Sequence, residues 1–185
     1  MKAGKDRPEP GTYRKFYQRL LVHPFFAKKL TYKQQRLVWD ILGGPQTNRV
    51  GLFRYSPGHA AVDVTTPAED PYTPLEILAD IPYICEGFGW QYDTGAEVLL
   101  IPTWWKYNYP ASPLNMMGAM RDAMNVPKSP LWPEFVRASE KYLRGLFLRA
   151  FRDSLVDPSV LDVEGEGEEE EDDESPVEDV EDATV

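Results

Sequence analysis

The chain has 185 residues and carries 20 Lys and Arg against 30 Asp and Glu, a formal net charge of -10. That average hides two unlike parts: residues 1–152 hold all 20 basic residues with 14 acidic ones, whereas residues 153–185 hold 16 acidic residues and no basic one. The longest apolar run, VLLI at 98–101, is too short to span a membrane, and a lone Cys85 excludes an intrachain disulfide framework and a Cys-rich zinc site. The charged N-terminus lacks the apolar run of a signal peptide, so the expectation is a cytoplasmic protein with no membrane partner.

Residues 1–12 are polar, rich in Pro and Gly, and read as a flexible arm. Residues 13–22 mix aromatic, aliphatic and basic side chains and read as a strand. Thr31 and Gln34 form a T-x-x-Q capping box. It opens a helix with Leu37, Val38, Ile41 and Leu42 at 3.6-residue spacing. Gly43-Gly44-Pro45 ends that helix, through a left-handed glycine cap and a residue that cannot continue. VGLFRY at 50–55 reads as a short strand. Ser56 before Pro57 opens a short helix to about Asp63.

After a polar loop, Thr73-Pro74 repeats the helix-start signal, and Glu76 suits the positive end of the new helix. Its apolar residues are Leu75, Ile77, Leu78, Ile81 and Ile84, and Pro82 is expected to kink or break it. GWQY at 89–92 and EVLLI at 97–101 flank DTGA and predict a β-hairpin. Residues 114–124 predict a helix with a Met-rich face. One long amphipathic helix is expected from 130–133 to about 155, with Phe135, Ser139, Tyr142, Leu146 and Ala150 on its apolar face. That face either packs on the chain's own core or pairs with a second copy. From 156 the pattern fails, and the acidic run at 164–174 cannot bury enough apolar surface to offset chain entropy, so the tail reads as disordered.

The expected fold is therefore α+β and mainly helical. A flexible arm (1–12) precedes a folded domain (13–109), a helical extension (110–155) and a disordered acidic tail (156–185). No phosphate-binding G-x-x-x-x-G-K-[ST], H-E-x-x-H or G-x-S-x-G occurs, and Gly87-Phe88-Gly89 is a lone G-x-G. His23 and His59 have no partner at metal-ligand spacing. The expectation is a protein that is not an enzyme and holds no cofactor or metal.

The order helix, strand, helix, loop, helix, hairpin is that of a winged helix-turn-helix, in which the helix before the hairpin is the recognition helix and the hairpin is the wing. The words GPQTNRVGLFRYS at 44–56, FGWQYD at 88–93 and VLLIPTWWKYN at 98–108 resemble a family of winged-helix replication proteins, or replication organisers, of phage and prophage replication modules. The resemblance covers about residues 13–136. It implies a DNA-binding module acting in phage DNA replication or its regulation, in the cytoplasm of a bacterial host, with a C-terminal part that recruits other proteins.

The sequence departs from that pattern at its centre, because the segment 73–83 contains Glu76 and Asp80 but no Lys or Arg. Residues 37–136 sum to -6, against +8 over 1–36 and +4 over 137–152. Phosphate contact is then expected from Lys28, Lys29, Lys33, Arg36, Arg49, Arg54 and Lys106, with Thr73, Gln91 and Thr94 at the recognition helix and wing. The alternative is a solvated charged surface. Trp104, Trp105, Tyr107 and Tyr109 either stack on unpaired bases, or the tryptophans pack the wing onto the helices. Expected partners are double-stranded or single-stranded DNA, a replication protein on the acidic tail, and a second copy of the chain. The alternative function is a protein–protein adaptor on a winged helix that has lost DNA binding. The tail either solubilises, screens the chain's own basic segments, or docks on a basic partner.

Overall fold

The computed structural model describes residues 20–65 and 71–156. The arm 1–12, residues 13–19 of the expected strand, and the acidic tail from 157 lie outside the described residues. The remainder of that strand, 20–22, is a turn, followed by a short helix α1 (Pro24–Lys29) anchored by buried Phe26. Pro24 favours this outcome because its fixed φ suits the first position of a helix.

Helix α2 (Tyr32–Gly43) opens with the predicted capping box: Thr31 N–H donates to Gln34 Oε1 at 2.9 Å, and Gln34 N–H donates to Thr31 Oγ1 at 3.3 Å. It stops at Gly43 as expected but not by a left-handed cap, since Gly44 has φ -71° and Pro45 turns the chain away. Strand β1 (Leu52–Arg54), helix α3 (Pro57–Val64), helix α4 (Pro74–Phe88) and strands β2 (Gln91–Asp93) and β3 (Val98–Leu100) follow. Helices α5 (Trp104–Tyr107), α6 (Pro113–Met124), α7 (Trp132–Tyr142) and α8 (Gly145–Val156) complete the described chain. The fold is mainly helical with one small antiparallel sheet, ordered β1-β3-β2, in which Leu52 and Gln91 both register with Leu100.

Pro82 does not break α4, which runs on to Phe88. Pro82 is exposed, and Leu78, whose carbonyl loses its partner, lies on the same exposed side, where water can satisfy it. The expected single helix near 131–155 is two helices. Leu143 is buried in extended backbone and Gly145 adopts φ 55°, so the chain turns between α7 and α8. The turn brings Phe135 and Phe151 to 5.8 Å and leaves Leu146, expected on the buried face, 69 % exposed.

In the hairpin, Asp93 Oδ1 accepts N–H bonds from Gly95 (3.0 Å) and Ala96 (3.4 Å). The left-handed residue of the turn is Glu97, φ 53°, and not Gly95. One continuous core joins Leu37, Ile41, Ile77, Ile81, Leu99 and Leu100 to Met116, Met120, Phe135 and Phe151. The extension 110–155 is thus packed onto the preceding domain, and α8 lies on α6. Among the described residues no helix is long and apolar enough to cross a membrane.

Candidate interface around helix α4

Helix α4 is built as a rigid, separately capped rod. Thr73 Oγ1 accepts from Glu76 N–H at 3.3 Å, while Glu76 Oε2 accepts from Thr73 N–H (2.8 Å) and Oγ1 (2.7 Å). These bonds to Thr73 hold the Glu76 carboxyl below the usual range. Lys33 Nζ stands 3.9 Å from Glu76 and 5.6 Å from the Tyr72 ring centroid. Asp80 is turned to internal use: it accepts from Gln34 Nε2 at 2.8 Å and from the Tyr72 hydroxyl, tying α4 to α2. Burial and that bond to Asp80 push the Tyr72 phenol upward.

The lone G-x-G closes the same helix. A side chain at Gly87 would sit where the Phe25 ring already is, 2.1 Å from its carbons, and Gly89 supplies the left-handed cap at φ 69°. Phe25 also stands 5.2 Å from Tyr83 and 5.3 Å from Phe88 by ring centroid, so α1 lies against the C-terminal half of α4. The inward side of α4 is Ile77, Ile81, Ile84 and Cys85. Burial pushes the Cys85 thiol up to about 12, which leaves it unreactive near neutrality. Leu75 and Leu78, counted in the sequence with the apolar residues of this helix, face outward at 77 % and 38 % exposure, beside exposed Ala79, Pro82, Tyr83 and Glu86.

The expected DNA-contacting residues fall into three groups. Lys28 and Lys29 are exposed at the end of α1, Lys33 and Arg36 lie on α2, and Thr73 caps α4, so these five stand on α4 or on the two helices that touch it, and Lys33 reaches Glu76. Gln91 is half-buried on β2, Thr94 is exposed in the hairpin turn, and Arg54 on β1 pairs with Glu97 at 3.3 Å. Arg49 and Lys106 fall elsewhere. Arg49 donates to Asp122 (2.9 and 3.2 Å) and to the Gly118 carbonyl (2.6 Å), which fastens the β1 approach to α6. Lys106 lies on α5 over the Tyr107 ring.

The family-like words turn out to be joints of the fold. Gln46 accepts from Ser56 N–H at 2.8 Å, Thr47 Oγ1 donates to the Ile41 carbonyl at 2.7 Å, and Asn48 Oδ1 accepts from Val50 and Gly51 N–H, both at 3.1 Å. Gly51 has φ 75°, and its missing Cβ would lie 2.5 Å from Trp104. The Trp104 indole N–H donates to the Arg49 carbonyl at 2.7 Å and that of Trp105 to Ser139 Oγ at 2.9 Å, and the two side chains are 4 % and 2 % exposed. Both tryptophans therefore pack, as one of the two readings held, and neither offers a face to a base. Among the described residues, no three His, Cys, Asp or Glu side chains gather to hold a metal. In comparisons with protein-family models, curated proteins and solved structures, nothing matches this chain.

Proposed function

We propose that the chain is a winged-helix protein of the phage and prophage replication type, which holds DNA through cations bordering α4 and not by base reading from α4 itself. The observation that carries this reading is the element order α2-β1-α3-α4-β2-β3 with the sheet order β1-β3-β2. A hairpin follows α4 directly, as a wing follows the recognition helix in a winged helix-turn-helix, and this likeness supports the reading. Exposed Lys28 and Lys29 on α1, with Lys33 and Arg36 on α2, supply positive charge on the two helices that touch α4. Phosphate contacts of this kind give affinity and little sequence preference. The protein acts in replication or its regulation as a binding module, with the acidic residues after 156 screening its cations or recruiting a replication partner. A gel-shift titration on phage origin duplex tests it. Binding should weaken steeply as salt rises, and Lys28→Glu with Lys29→Glu should weaken it about ten-fold on every sequence alike. Absence of binding at low salt, with or without residues 157–185, overturns the reading.

A second reading, a protein adaptor on the same fold that has lost DNA binding, is favoured by one specific observation. Residues 73–89 contain no Lys or Arg, and the exposed face of α4 is apolar and acidic. Base readout leans on Arg, Lys, Asn and Gln, and this face presents none of them.

A further inference from the structure

We propose that the outward strip of α4 is a docking site for an amphipathic helix of a partner protein, one with Leu-like side chains at helical spacing flanked by Lys or Arg. This rests on the adaptor reading and specifies the partner's chemistry for the surface that reading would use. Leu75, Ala79, Pro82 and Glu86 follow one another at the i, i+4, i+7, i+11 spacing that lines one side of a helix, with Leu78 and Tyr83 on either side. A 15-residue helix is about 22 Å long, enough to take three or so anchor residues of a bound helix in the groove-docking mode.

The strip is preorganised. It is capped at Thr73 and Gly89, backed by fully buried isoleucines, and walled on one side by Phe25 against Tyr83, so binding need not order it. Its charge selects the occupant. Glu76 and Glu86 are both exposed; Lys33 stands 3.9 Å from Glu76, whereas Glu86 makes no ion pair among the described residues, and no cation lies on the helix itself. The strip itself offers no cation to a nucleic-acid phosphate. A second copy docking α4 against α4 would set like charges together. A helix carrying Lys or Arg beside its apolar residues meets neither penalty.

The test uses the full-length chain and a fluorescent synthetic peptide of Leu and Lys at amphipathic helical spacing. A peptide of the same composition in scrambled order reports what the acidic tail binds by charge alone. The ordered peptide should bind about ten-fold more tightly than the scrambled one. Leu75→Asp with Tyr83→Ser should abolish that preference, and Glu86→Lys, an exposed change that leaves packing untouched, should reduce it about three-fold. Equal affinity for both peptides, or a preference that survives in both variants, overturns the proposal. So does a concentration-dependent dimer that Leu75→Asp dissolves, which assigns the strip to a second copy. Two further results overturn it: a peptide affinity that rises when residues 1–19 are removed, and duplex DNA that shifts the backbone NMR signals of Leu75 and Ala79.

Discussion

Glu97 occupies a backbone conformation that a side chain resists, at φ 53°. It is held there from three directions: its carbonyl accepts from Tyr55 N–H at 2.6 Å, and its carboxylate meets Arg54 at 3.3 Å and Ser56 Oγ at 3.5 Å. A left-handed residue with a Cβ costs about 1–2 kcal/mol, whereas an exposed ion pair returns about 0.2–1 kcal/mol. Glu97→Gly should therefore be about 1 kcal/mol more stable than Glu97→Ala in urea denaturation, since both lose the ion pair and only glycine relieves the backbone. A few residues away, the Ser129 hydroxyl donates to Asp93 Oδ2 at 2.7 Å, tying the loop before α7 to the hairpin. That bond, with those from Gly95 and Ala96, holds the Asp93 carboxyl below its ordinary 3.8. A carboxyl depressed by folding contributes stability that is fully present above its unfolded value and is lost as pH falls through the folded one. Ser129→Ala should move the Asp93 titration upward toward 3.8 in an NMR pH series, and stability should then fall off at a less acidic pH. An unmoved titration would assign the depression to the backbone bonds alone.

Helix α4 shows at the scale of one element how much local sequence can and cannot specify. Its start was legible to the residue, because Thr followed by Pro is a local helix-start signal; the structure adds that Thr73 and Glu76 close a capping box. Its length was not, because Pro82 is a local stop signal that the surroundings override. Proline inside a helix costs about 3 kcal/mol relative to alanine, and α4 is already unbroken around it. Pro82→Ala should thus raise stability by about 1–3 kcal/mol in thermal or urea unfolding. A drop in stability would mean that the proline ring makes contacts that outweigh the restored N–H bond. The α7–α8 pair fails in the opposite direction. The periodic pattern of Phe135, Ser139, Tyr142 and Leu146 reads through, yet the helix breaks at 143–144. A single rod could not bring Phe135 and Phe151 together while Trp105 reaches Ser139.

At the scale of the whole molecule, charge is the organising quantity. Residues 153–185 carry 16 acidic side chains and no cation, and the cations at 28, 29, 33 and 36 lie on α1 and α2, the helices that touch α4. If those acidic residues screen the cations, removing residues 157–185 should tighten DNA binding, and the gain should shrink as salt rises, because screened charges lose their reach. Equal affinity for the full and shortened chains at low salt would exclude that mechanism.

By itself the sequence determined the helix starts at Thr31 and Thr73, the hairpin, the Met-rich helix and the division of charge. Each of these rests on neighbours within a few residues or on simple counting. Only the tertiary structure decided that Trp104 and Trp105 are buried joints, that Arg49 binds Asp122, and that Leu75 and Leu78 face outward. The reason is physical: a run such as LEILADIPYI is apolar on more than one side of its helix. Which side is covered depends on α1, α2, α3 and the sheet packing against it. The candidate site was half legible for the same reason, since its cations could be counted in sequence while the outward apolar strip of α4 became visible only once the other side of the helix had been filled.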